Sequence, residues 1–123
     1  MQNSMRTFTE KDLADCARSC AGVLDQKKAN DIIVLNLKGV NSAFDYFVIA
    51  TAQSHLHCRA LAKELQRHLH SLGMVQRGKP DLDTGWVLLD FNEIIVHVFI
   101  QEQREYYQLE KLWADAERIT IDA

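Results

Sequence analysis

Four groups of side chains in this 123-residue chain have types and spacings that could do chemistry. Asp81 and Asp83 form an Asp-x-Asp pair, the pattern with which two-metal enzymes hold cations for phosphoryl or nucleotidyl transfer. Ser54 opens a helix directly after a strand, where backbone amides and the helix dipole favour phosphate. Together they would describe a metal-dependent nucleotidyltransferase. Cys16 and Cys20 stand four apart on one helical face, as two metal ligands would, and His55, His57, His68 and His70 fall in pairs two apart. Each group also has a plainer reading. The aspartates follow Pro80 in a loop, whereas a two-metal site needs a strand to hold both carboxylates rigidly. Thr51-Ala-Gln-Ser54 has no glycine to let amides approach an anion, which leaves an ordinary N-cap. No further thiol or imidazole lies near the cysteines to complete a tetrahedral site, and small buried thiols are common in helix stripes. Residues two apart on a helix do not share a face, so the histidines read as mainly solvated. No metal and no cofactor is expected, and the enzyme reading requires the aspartate loop and the start of the Ser54 helix to share one site.

The elements that must position these groups are legible from periodicity. Thr9 followed by Asp12 resembles a capping box, so a helix should begin near Glu10, with Leu13, Ala17, Cys20, Ala21 and Leu24 as a narrow stripe of mostly small residues. Asp31 to Leu37 reads as a strand, and Asp45 to Thr51, nearly continuous in apolar residues, as a strand inside a sheet. The segment His55 to Leu72 is a helix with Leu61, Leu65, Leu69 and Leu72 as its core stripe and Gly73 as its stop. A loop runs from there to Gly85.

From Gly85 to Trp113 the chain carries both tryptophans. Two apolar, β-branched runs flank Phe91-Asn92-Glu93, which predicts a tight hairpin with Asn92 in a left-handed turn conformation. Turning at Asn92 and Glu93 pairs Asp90 with Ile95, Leu88 with His97 and Trp86 with Phe99. Those six share one mixed face, while Val87, Leu89, Phe91, Ile94, Val96 and Val98 form a wholly apolar one. Either both faces are buried, as is common in α/β proteins, or the mixed face or its rim is a docking surface. A polar stretch then leads into a short helix from Glu105 to Ala114, with Tyr106, Leu109 and Trp113 on one side and Tyr107 and Glu110 on another.

Length and composition fit one soluble domain with a real core. Nothing approaches a membrane-spanning run, the N-terminus reads neither as a secretory signal nor as an organelle presequence, and three cysteines argue against a disulfide framework, so a cytoplasmic location is expected. Net charge is −3, and the Gly85 to Trp113 segment alone is as acidic, with Asp90, Glu93, Glu102, Glu105 and Glu110 against Arg104 and Lys111. An acidic segment is a poor surface for phosphate backbones and a better one for a basic protein.

The succession Asp45-Tyr-Phe-Val-Ile49, Ser54 at a helix start, Trp86-Val-Leu-Leu-Asp90, Val96-His-Val-Phe99, Arg104, Tyr107, Leu109-Glu110 and Leu112-Trp113 closely resembles the ribosomal silencing factors, also called the Iojap family. The resemblance divides the chain into an extension (1–9), the family domain (10–114) and a tail (115–123). It implies a single-domain α/β fold, a mixed β-sheet with helices in a nucleotidyltransferase-like arrangement without the catalytic machinery. It further implies a non-enzymatic translational repressor that binds the large ribosomal subunit through ribosomal protein L-fourteen, blocks joining of the small subunit and silences translation when nutrients are scarce. Where family members usually carry glycine at the hairpin turn this chain has Asn92, which tolerates the same backbone. Nothing is carried over to Gly78 to Thr84. The matching residues Trp86, Leu88, Asp90, His97, Tyr107 and Glu110 are the expected partner-binding set, with an aromatic centre and an acidic rim. Direct ribosomal RNA binding would require a basic groove, and a homodimer could form by pairing of the mixed face with its own copy.

Overall fold

In the computed structural model, which describes residues 8–121, local signals start the fold where expected. Thr9 Oγ1 accepts the Asp12 N–H at 3.0 Å and the Asp12 carboxylate accepts the Thr9 N–H at 2.9 Å. This capping box opens α1, Glu10–Gln26, whose buried stripe is Leu13, Cys16, Ala17, Cys20, Ala21 and Leu24. Strand β1, Asn30–Asn36, and the wholly buried β2, Tyr46–Ala52, follow. Ser54 Oγ accepts the His57 N–H at 3.0 Å and caps α2, His55–Ser71; Gly73 takes the left-handed conformation just past its end, at φ 90°. Strands β3, Trp86–Asp90, and β4, Ile94–Ile100, make the hairpin, and α3, Gln101–Tyr107, α4, Leu109–Leu112, and β5, Glu117–Ile119, complete the chain.

The sheet order is β3-β4-β2-β1-β5. β2 and β4 are parallel and the other neighbours antiparallel, so the sheet is mixed and the most apolar strand is central. The hairpin register is the expected one, with Trp86 opposite Phe99, Leu88 opposite His97 and Asp90 opposite Ile95. Asn92 has φ 75°, and the Glu93 N–H donates to the Phe91 carbonyl at 3.1 Å. Val87, Leu89, Phe91, Ile94, Val96 and Val98 pack into the main core with α1 and α2. On the mixed face, Ile95 and Phe99 join Leu35, Leu37, Phe47, Ile49 and Leu109 in a second core, against which Trp86 and Trp113 pack. The two readings of this face therefore divide: its centre is covered, and its β3 edge is open.

Two expectations change. The helix expected from Glu105 to Ala114 instead starts at Gln101, directly after β4, and is broken by Gln108 at φ 45°, ψ 50°. The break turns Leu109 into the core while Tyr106 stays 79% exposed, so the two do not share a side. The segment read as a tail supplies β5, which pairs antiparallel with β1 through Glu117, Arg118 and Ile119. Most of the expected extension, residues 1–7, lies outside the described residues. Among those described, no helix is long and apolar enough to cross a membrane.

Candidate functional site

Alternation along β3 puts Trp86, Leu88 and Asp90 on one face, and α3 comes up beside them. Trp86 is half-buried, with its ring 4.8 Å from that of the buried Phe99 and 4.6 Å from that of Tyr107. Tyr107 is 44% exposed and meets Tyr106 edge-on at 4.9 Å. Leu88 is 42% exposed on the strand. The result is an aromatic and apolar patch open to a partner; α3 also carries the exposed acids Glu102, which shares a surface hollow with Tyr106 and Tyr107, and Glu105.

The other three expected contact residues are already engaged within the protein. His97 is 3% exposed, so it lies beneath the surface rather than on it; its Nδ1 accepts the Trp86 indole N–H at 3.1 Å. Strand alternation indicated the face correctly but not that α3 and α4 would cover this column. Asp90 accepts Arg77 Nη2 at 3.0 Å, Arg77 Nε at 3.2 Å and the Asn92 N–H at 2.8 Å. Burial pushes the Asp90 carboxyl upward, but these donors outweigh it and hold the group below its ordinary value. Glu110 accepts Arg104 Nε at 3.1 Å, and Arg104, 6% exposed, also donates from Nη1 to Thr51 Oγ1 at 2.9 Å. This chain pins α3 and α4 to the end of β2, and two of its members, Arg104 and Thr51, were not among the expected site residues.

The outer edge of β3 is partly closed. The backbone groups of Trp86, Leu88 and Asp90 point away from β4, as the bonds Phe91 N–H to Ile94 and Ile100 N–H to Gly85 require. Thr84 Oγ1 donates to the Trp86 carbonyl at 2.8 Å and accepts its N–H at 3.4 Å, while the Arg77 N–H donates to the Asp90 carbonyl at 2.7 Å. Leu88 stands between the two plugs, which leaves little edge for strand pairing with another copy. Neither Thr84 nor Arg77 carries a local signal for this role.

The enzyme groups are brought closer than their loop position implied. Gly85 packs against His55 and Ile100, so the loop before β3 reaches the first turn of α2. Proximity does not make a metal site there. Asp83 is paired with Arg59 at 2.7 Å, and Asp81 accepts the Asp83 N–H at 3.0 Å in a turn. Among the described residues, no three His, Cys, Asp or Glu side chains are grouped to hold a metal ion. Cys16, Cys20 and Cys58 are buried, and burial pushes the Cys20 and Cys58 thiols up, which keeps them protonated. His57 and His68 are not simply solvated. His57 accepts the Gln53 N–H at 2.9 Å on Nδ1 and therefore donates from Nε2 to the Lys27 carbonyl at 2.7 Å, while His68 Nε2 meets Ser19 Oγ at 2.7 Å. Both bridge helices or their ends; His55 and His70 are exposed.

The ion-paired basic side chains are dispersed, and the groove that Arg104, Lys111 and Arg118 line also holds Asp31, Glu105 and Glu110. Among the described residues Lys11, Arg18, Lys38, Arg59, Arg67, Arg77 and Arg104 form ion pairs, distributed over α1, the β1–β2 loop, α2, the loop before β3 and α3. This arrangement disfavours tracking along a nucleic-acid backbone.

Comparison with known proteins identifies the family and the fold. Residues 10–123 match the family described as ribosomal silencing factor during starvation. The ribosomal silencing factor of Bacillus subtilis (strain 168) is 36% identical over 103 residues, covering 83% of this chain and 87% of the relative. A mouse protein named mitochondrial assembly of ribosomal large subunit protein 1 is 34% identical over 96 residues, covering 74% of this chain and 42% of its own length. A crystal structure from Chromobacterium violaceum superposes with a TM-score of 0.78 at 28% identity, covering 89% of this chain and 92% of that one. On its sequence and its fold, this chain belongs to the ribosomal silencing factor family.

Proposed function

We propose that this protein is a cytoplasmic, non-enzymatic translational repressor that occupies the large ribosomal subunit, docking on ribosomal protein L-fourteen and sterically blocking the small subunit under nutrient limitation. The observation that carries the reading is the open aromatic patch of Trp86, Leu88 and Tyr107 on a half-covered sheet edge. Aromatic residues in such a setting are frequent hot spots of protein interfaces. The name of the mouse relative points to the same subunit. Asp90 and Glu110 border the patch as its rim, but their charges are answered by Arg77 and Arg104, so steering of a basic partner falls chiefly to Glu102 and Glu105. His97 serves from beneath.

Co-sedimentation with isolated large and small subunits tests this directly. Wild-type protein is expected to pellet with large subunits and not with small ones, and Trp86→Ala to lose about 2 kcal/mol of binding, roughly thirtyfold. Binding to neither subunit defeats the occupancy reading. A folded Trp86→Ala variant that binds like wild type removes the patch from the contact.

A further inference from the structure

We infer that His97 is a positioning residue: out of reach of any partner, it fixes the Trp86 indole by accepting its Nε1–H at Nδ1, and thereby sets the shape of the docking surface. The inference rests on the docking reading above and adds the residue on which that surface depends from within.

The observation behind it is an unanswered polar atom. A neutral imidazole has one donor and one acceptor nitrogen. Nδ1 accepts from Trp86, so the proton is on Nε2, and Nε2 is buried without a hydrogen-bond partner among the described residues. A buried donor left unpaired is destabilising. The surroundings do nothing to favour a polar ring: the His97 centroid lies 4.6 Å from that of Phe47 and 6.1 Å from that of Phe99. An apolar side chain would fill this position without the unpaired donor. What it could not do is accept the indole N–H, which is the one hydrogen bond the His97 side chain makes among the described contacts. Burial also pushes the ring's pKa down to about 3, so Nδ1 remains an acceptor at neutral pH.

The bond has two consequences at the surface. Phe99 supports the indole from below and Tyr107 packs on it from the side; ring contacts carry little direction, and the bond at Nε1 adds the one that selects a single orientation of the indole. The only donor of the indole is also turned inward, so Trp86 presents carbon and a π face rather than an N–H. That ring selects an apolar or cationic group and leaves any acceptor of a partner to the tyrosine hydroxyls beside it.

The test uses full-length protein. His97→Phe keeps the ring and removes the acceptor; His97→Leu is a second acceptor-free variant should the first fail to fold, and His97→Gln returns a carbonyl acceptor. Two readouts are taken, the indole N–H resonance of Trp86 in a proton–nitrogen spectrum and affinity for isolated large subunits. In His97→Phe the melting temperature is expected to be no lower than wild type, the Trp86 resonance to shift and exchange faster, and affinity to fall about fivefold, with His97→Gln recovering most of it. An unmoved resonance, or binding within about twofold of wild type, overturns the inference. Trp86→Ala separates the two levels. If it binds tightly, the docking reading fails and this inference with it; if it binds weakly while both acceptor-free variants bind normally, only the role of His97 is lost.

Discussion

Mild acid should destabilise this fold through His97 before it reaches the carboxylates. In the folded protein burial holds the ring neutral, with its pKa pushed down from 6.5 to about 3, whereas the unfolded chain titrates normally. The stabilisation is therefore fully present above the unfolded pKa and is lost as pH falls from there towards the folded value, because only the unfolded state takes up the proton. At about 1.4 kcal/mol per pH unit, moving from pH 7 to pH 4.5 removes about 2.5 kcal/mol, a large share of the stability of a domain this size. Glu10 and Asp90, whose carboxyls are held low, lose their contribution as pH falls from their unfolded values of 4.5 and 3.8 towards the lower folded ones, so most of that loss lies beneath this window and is shared by wild type and variant. His68 is also pushed down by burial and acts with the same sign, so wild type alone cannot isolate His97. Urea denaturation of wild type and His97→Phe at both pH values does so. The wild type should lose about 2.5 kcal/mol more than the variant at an unchanged m-value. Equal losses would refute the reasoning, since they would mean that the folded ring accepts a proton as readily as the unfolded one.

Three further outcomes follow from the contacts around the patch. Arg104→Met strips the partner from Glu110 and from Thr51, and should cost about 2 kcal/mol in denaturation, of which Glu110→Gln in the same chain recovers part; a cost under about 0.5 kcal/mol would show that this chain does not anchor α3 and α4. Arg77→Ala breaks an exposed pair and should change stability by less than about 1 kcal/mol, yet by freeing Asp90 it should speed association with large subunits and steepen its salt dependence, and an unchanged salt slope would count against any part for Asp90 in steering. Tyr107→Ala should weaken large-subunit binding by about 1 kcal/mol without a comparable loss of stability, and unchanged affinity would reassign the residue as scaffold.

The sheet was legible in the sequence because its signals are local and its period is two. Phe91-Asn92-Glu93 fixed the hairpin register, the continuous apolar run fixed β2 as central, and Thr9, Ser54 and Gly73 marked helix ends through caps that act within four residues. The elements missed have no local cause. Gln108 takes a left-handed conformation that neither glycine nor asparagine announces, so the break between α3 and α4 looked like one continuous helix. β5 is three residues long and is held by β1; its Glu117 side chain accepts from Asn36, 81 residues earlier. The candidate site shows the same division. Alternation identified Trp86, Leu88, Asp90 and His97 as sharing a face, but no periodicity says which column a later helix will cover. Nor could it show that Arg77, 13 residues before Asp90, and Thr51, 53 before Arg104, would engage the polar members of the set.

Those engagements change what the surface can use for recognition. Of the six residues expected to meet the partner, the polar ones are bound from within, His97 to Trp86, Asp90 to Arg77 and Glu110 to Arg104, while those left open are Leu88, Trp86 and Tyr107. An interface built this way draws little affinity from its rim charges, because each would have to leave a partner it already has. Glu102 and Glu105 of α3 are exposed and in no ion pair among the described residues, Glu105 accepting only from Gln101 at 2.7 Å, so they can act on encounter without being desolvated. Association and dissociation should then be separable by residue. Neutralising Glu102 and Glu105 should slow association in a salt-dependent way and leave dissociation unchanged, whereas truncating Trp86 or Tyr107 should speed dissociation at any salt. A salt-sensitive dissociation rate, or aromatic variants that change only association, would place the binding energy in charge pairs and contradict a surface whose acids are already satisfied inside the fold.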